Sequence, residues 1–454
     1  MRRSVVAGIA LASMGVSACG GGASAPDNAL SSTTTIAAPT STGRPANPEP
    51  VWSKAALEID NSPLSWISAA GDAVLVPTKE ALVAVDRSTG RELWRREPKR
   101  PEQYSYRVSG DAVVFLEHQG KPGDPALVEV VEAADGRTLW QTSAGDVVVF
   151  DKAIYTADCA RGRADCTSMR HDLRSGEPTW PGPAQGSVDG DTVGTWRNRA
   201  PLEPELVAIA VEDPVSTAKR PWAVVEASTG TVLQGRAEHH AWYQLGVGEL
   251  LVVTDHHASG EGDCRVDITA TGARDGVDRY DAEVYSGREK NGECQNMLGP
   301  VFGDQFIGAG TRIAAVTDSG APQLFDLATG TTVWTGSGVG SPLDGDDRSL
   351  LFSEFADQGA LSLLDITTGA TRWTLPDPGF STAATQQRTI VAGDRVVIGG
   401  FSASETDRGY LTLVYDRESG RELQRYRGYL CGAGPDWVAV SAERDGKPVL
   451  EFHR

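Results

Sequence analysis

The sequence predicts an all-β fold, a propeller of short antiparallel strands closed by strands from both ends of the chain. Three observations predict it. A nine-residue pattern, an acidic or polar residue, a turn ending in glycine and then a bulky residue, occurs eight times. The eight glycines stand 39 to 54 residues apart, a period that marks repeat architectures. Short alternating or β-branched runs flank each copy, and no convincing amphipathic helix follows the N-terminal apolar run, so a blade of three to four strands fits each period better than a helical repeat.

In chain order, residues 1–18 read as an export signal: Arg2 and Arg3, an apolar run from Val5 to Val16, then small residues. The run is too short for a bilayer span, which needs about 20 apolar residues. Its end, Val16-Ser17-Ala18-Cys19, resembles the lipobox of bacterial lipoproteins. That resemblance implies acylation of Cys19, which then becomes the N-terminus and anchors the chain on the extracytoplasmic face of the cell membrane. Residues 19–50 are almost entirely Gly, Ala, Ser, Thr and Pro, a composition that builds no core and reads as a tether with an end-to-end distance of about 30 Å.

Residues 51–454 are expected to form a single propeller. The hairpin copies run Asp86 to Trp94, Glu132 to Trp140, Asp172 to Trp180, Glu226 to Gln234, Gly272 to Tyr280, Asp326 to Trp334, Asp365 to Trp373 and Asp416 to Gln424. Seven begin with Asp or Glu and five end in Trp. The glycines (Gly90, Gly136, Gly176, Gly230, Gly276, Gly330, Gly369 and Gly420) sit where a tight hairpin needs positive φ, and the acid with its Ser or Thr neighbours can hydrogen-bond the turn. The terminal Trp is expected to pack between blades. Gly-Asp pairs such as Gly71-Asp72, Gly110-Asp111 and Gly393-Asp394 open a second β-rich run in many units.

Val51-Trp52-Ser53 looks like the end of a unit lacking its beginning, and Trp437 to His453 like the beginning of a unit lacking its end. Together they would close the ring and remove its exposed edges. Eight blades are expected, with seven and nine open: the composite unit raises the count, whereas Gly272 to Tyr280, lacking both acid and Trp, could be an insertion.

The net charge of −19 excludes nucleic acid and adhesion to anionic lipid as the basis of function. In an oxidising compartment the remaining cysteines are disulfide candidates; Cys159 with Cys166 and Cys264 with Cys294 are the expected pairs, leaving Cys431 free. His171 near Cys166, the pairs His239-His240 and His256-His257, and Asp344, Asp346 and Asp347 are metal-ligand candidates by residue type. None has a complete ligand set at proper spacing, and adjacent residues on a strand point to opposite faces.

The D-x-x-T-G-x-x-x-W hairpin resembles the repeat of PQQ-type β-propellers, and the chain is similar to bacterial lipoproteins of that superfamily from Val51 to Arg454. The resemblance implies fold but does not choose function, since relatives include quinoprotein dehydrogenases, an outer-membrane barrel-assembly lipoprotein and sensor propellers. No two cysteines are adjacent as in the dehydrogenases, and no metal-binding Glu, Asn and Asp set is recognisable. The expectation is therefore a monomeric, non-catalytic scaffold that binds an envelope protein. It needs no pyrroloquinoline quinone or calcium. A receptor for a small molecule, peptide or glycan is the alternative.

Overall fold

The computed structural model describes residues 47–454 except 56–65, 100–103, 119–124, 160–165, 189–197, 211–219, 240–242, 259–262, 291–292, 295–305, 308–310, 318, 355–359, 376–379, 381–387 and 403–407. The signal, Cys19 and most of the tether lie outside the described residues.

Each hairpin copy joins the third and fourth strands of its own antiparallel sheet. In the first, Ala73–Pro77 pairs with Leu82–Asp86, which pairs across the turn with Glu92–Arg96. A one-residue register shift just before the turn recurs in five of the later copies. Gly272 to Tyr280 is such a hairpin too, between Asp263–Gly272 and Asp278–Lys290, so it is a blade and not an insertion. Its sheet has five strands, and the other repeat-bearing sheets have four.

The propeller therefore has the eight blades that the repeat predicts, each built round one hairpin. Closure by both termini is observed: Trp52–Ala55 pairs with Lys447–His453, Trp52 standing opposite Phe452. With Trp437–Arg444 and Tyr429–Gly434 they form a four-stranded sheet. That closing sheet stands beside the eight, which makes nine sheets among the described residues.

The first strands of neighbouring sheets approach one another, among them Ser68–Ala70, Tyr104–Ser109 and Tyr429–Gly434. The fourth strands are the exposed ones. First strands thus converge on the axis. Because strands alternate in direction, the first-to-second turns and the hairpins share one end of the ring, here the motif end. The second-to-third loops and the connections between sheets share the other, the open end.

The core lies between sheets. One cluster joins the closing sheet to the first blade through Trp52, Ile67, Val74, Val76, Leu450 and Phe452; another joins first to second through Leu75, Leu82, Tyr106 and Val113. Such side chains each contribute about 1.5–3 kcal/mol when fully buried.

Candidate partner-binding face

The repeat residues are consumed by architecture. Asp86 Oδ1 accepts hydrogen bonds from the backbone and hydroxyl groups of both Ser88 and Thr89, at 2.7–3.0 Å. These bonds, the Ser88 hydroxyl foremost, hold its carboxyl down at about 2. Asp172, Asp365 and Asp416 are lowered as well. The backbone turn closes from Gly90 N to Asp86 O at 2.8 Å.

The bulky terminal residue reaches the next sheet. Trp94 Nε1 donates to Ala133 O, Trp140 to Leu173 O, Trp180 to Ala227 O, Trp334 to Ile366 O and Trp373 to Arg417 O, each at 2.8 Å. Trp52 does the same from the closing sheet to Arg87 O at 3.1 Å, and the Tyr280 hydroxyl replaces an indole by donating to Leu327 O at 2.6 Å. Each ring covers the glycine of the next hairpin. At Gly136, which holds φ +69°, a Cβ would lie 2.6 Å from Trp94 Cγ. The glycine thus satisfies the turn and admits the neighbouring indole.

Ion pairs complete the motif end. Arg174 joins Asp111 and Glu132, Arg348 joins Asp394 and Glu418, and Arg87 joins Asp436. Each links one sheet to the next. Asp346 belongs to this belt: it accepts from Arg348 N and Ser349 N and makes a two-pronged pair with Arg417, whose side chain is 1% exposed. Asp344 Oδ2 accepts from Val391 N. Of Asp344, Asp346 and Asp347, it is Asp346 that neutralises the buried Arg417 guanidinium.

Cys166 is disulfide-bonded, and the residue opposite it in the ladder is Cys159. Cys431 is free and buried, and burial pushes its thiol up to about 12. Cys264 stands opposite Gly287 and Cys294 opposite Glu289; their side chains, like those of His239, His240, His256 and His257, lie outside the described residues. His171 is structural, bonded to Thr156 Oγ1 and Gly176 O at 3.0 Å and stacked on Trp140.

Two features carry no repeat signal. A segment in the connection between the first two strands of the fourth blade lies on the axial edge of the second blade, where Val108 N donates to Asn198 O at 2.7 Å and Ala200 N to Val108 O at 2.8 Å. Asn198 Nδ2 and the Tyr106 hydroxyl both donate to Trp66 O.

The second is a ring array at the open end. Arg388, 6% exposed, lies over Trp66 at 5.1 Å and Tyr429 at 4.7 Å. Tyr410 packs edge-on against Tyr429 at 5.1 Å and against Phe401 at 5.4 Å. Trp66 precedes, and Arg388 and Tyr429 begin, first strands of the first blade, the eighth blade and the closing sheet.

A family described as outer membrane protein assembly factor BamB, built on PQQ-type repeats, matches residues 42–181 and 124–375. The chain belongs to this family. No curated protein matches it in sequence. Among solved structures, BamB from Moraxella catarrhalis is 12% identical over 89% of this chain and 99% of that one, with a TM-score of 0.36. A europium-containing methanol dehydrogenase is 14% identical over 87% and 84%, TM-score 0.38. Apo AztD from Citrobacter koseri is 10% identical over 86% and 98%, TM-score 0.40. Within the BamB family frame, the repeat of this chain accounts for the motif end and leaves the open end as the irregular, individual surface.

Proposed function

We propose that the chain is a non-catalytic scaffold that binds a protein partner in the cell envelope, held at the extracytoplasmic membrane face by lipid on Cys19. The family match across residues 42–375 carries the reading, because its description names an assembly factor. The hairpin chemistry supports it: the acids dispersed round the ring are spent on turns and ion pairs. The axial-funnel alternative, a receptor for a small molecule, peptide or glycan, is weakened by residues 198–200 lying on the axial edge of the second blade.

In-cell cross-linking of the full-length chain is the test, and recovery of one envelope protein is the expected result. Repeated recovery of none would remove the scaffold reading. A Cys19→Ala variant should lose membrane retention and accumulate unprocessed chain; membrane retention without that accumulation would refute lipidation.

A further inference from the structure

The segment from Asn47 to Ala55 touches three sheets in turn. Asn47 meets the eighth blade: its Nδ2 donates to Arg427 O at 3.1 Å, and its Oδ1 accepts from Arg427 N at 2.6 Å. The side-chain amide thus pairs with the end of the outer strand Glu422–Arg427 as a peptide group of a further strand would. The same Nδ2 donates to Glu451 Oε2 of the closing sheet at 2.8 Å. Further along the chain, Trp52–Ala55 pairs with Lys447–His453 in that sheet, and the Trp52 indole donates to Arg87 O of the first blade at 3.1 Å.

Glu451 is the node beneath this segment. It is 1% exposed and accepts from Asn47, from Arg444 of its own sheet and from His453 Nε2 at 3.3 Å. His453 lies against Tyr426 of the eighth blade, with 4.3 Å between ring centres. The Asn47 amide therefore serves a buried carboxylate and a strand end together, and its loss leaves both short of a hydrogen bond. Between the two ends of the segment, Pro48-Glu49-Pro50 carries two prolines in three residues, whose fixed φ leaves little slack. Val51 N then donates to Phe452 O at 2.8 Å, and Trp52 stacks on Phe452 with 5.0 Å between ring centres. A stiff span held at both ends passes displacement from one to the other.

We infer that residues 47–55 are a strap that locks the ring, fastening the eighth blade to the first across the closing sheet, so that release at either end loosens the other. The strap adjoins the tether in sequence, and the inference goes beyond the scaffold reading without depending on what the scaffold binds.

The test is hydrogen exchange of the full-length chain, followed by NMR at the Arg427 amide and the Trp52 indole, with the Trp334 indole between the sixth and seventh blades as control. Asn47→Ala should speed exchange about tenfold at Arg427. It should also speed the Trp52 indole, although the hydrogen bonds of Asn47 go to Arg427 and Glu451, and leave Trp334 unchanged. Asn47→Asp, which sets a second carboxylate against Glu451, should do more at both sites. Trp52→Phe, which removes the indole donor and keeps an aromatic ring, should speed Arg427 in return, because coupling between two sites is reciprocal. Faster exchange at Arg427 with the Trp52 indole unmoved would reduce the segment to two separate contacts and overturn the strap. Equal acceleration at Trp334 would mark general loosening and overturn it as well. No change at Arg427 in either Asn47 variant would overturn the clasp itself. Should Trp52→Phe fail to fold, the Asn47 variants decide alone.

Discussion

Trp334 and Gly369 meet across a blade boundary so closely that the indole leaves no room for a Cβ at the glycine. A Cβ on Gly369 would lie 2.6 Å from Trp334 Cδ2, and the glycine also holds φ +70°. The same indole donates to Ile366 O at 2.8 Å and is 9% exposed. Trp334→Ala should therefore cost about 3–5 kcal/mol. Gly369→Ala should cost at least the about 1–2 kcal/mol of a left-handed backbone with a Cβ, and more for the displaced ring. In the double variant the ring is gone, so the penalties should sum to less than the two singles. Urea denaturation of all four proteins measures the coupling, and strict additivity would refute the contact.

The hairpin acids make acid stability predictable. Asp86 holds its carboxyl at about 2 against the value of 3.8 of a free side chain. A lowered folded value means that the carboxylate stabilises the fold above the unfolded value and that the contribution is lost as pH falls through the folded one. The window is therefore from about pH 4 down to about pH 2, with Asp172, Asp365 and Asp416 shifted in the same direction. An Asp86→Asn variant should be less stable than the parent at neutral pH and converge toward it below about pH 2. Carboxyl titration by NMR, with melting curves across this window, checks both the position and the sign.

The hairpin was legible in the sequence because all its parts lie within nine residues: Asp86, Thr89 and Gly90 satisfy one another locally. The Trp was legible as blade packing because it recurs in register with that turn. The pairing of Trp52–Ala55 with Lys447–His453 was legible too, since each end reads as half a unit. What stayed hidden is long-range and unrepeated. Arg417 and Asp346 are 71 positions apart, and nothing in the DRESG turn distinguishes Arg417 from an exposed arginine. Asn198 and Trp66 are 132 apart. The ring array draws on the first strands of three sheets, which carry no part of the repeated motif. Asn47 falls in the span whose composition reads as tether, yet it donates to Glu451 Oε2 at 2.8 Å and exchanges hydrogen bonds with the Arg427 backbone.

The hidden Arg417–Asp346 pair gives a third prediction. Asp346→Asn leaves the guanidinium buried without its charge partner, while Gly393 O still accepts one of its hydrogen bonds at 2.8 Å. Removing one partner of a buried pair is costly because the other charge stays desolvated, and Asp346 is itself 34% exposed. The expected loss is about 2–3 kcal/mol, largely insensitive to salt because Arg417 is shielded from solvent. Arg174→Gln, in the exposed part of the belt, should cost about 1 kcal/mol or less and lose even that at high ionic strength. Denaturation at low and high salt separates them, and equal losses would refute the distinction.

The cysteines give the last prediction, in which reactivity tests the reading directly. Cys159 and Cys166 are opposite each other on adjacent antiparallel strands, and Cys166 is disulfide-bonded, so we predict a 159–166 bridge that closes a short loop. In the chain-entropy account a loop of this length contributes about 2–3 kcal/mol. Cys159→Ser should lower stability by that amount under oxidising conditions and change nothing once the parent is reduced. Cys431 should behave oppositely. It is buried and its thiol is raised to about 12, so it carries almost no thiolate at neutral pH and should resist alkylation until the chain is denatured. Intact-mass analysis after alkylation, before and after denaturation and then reduction, reads both. Peptide mapping that joined Cys166 to any residue other than Cys159, or labelled Cys431 in the folded protein, would break the assignment.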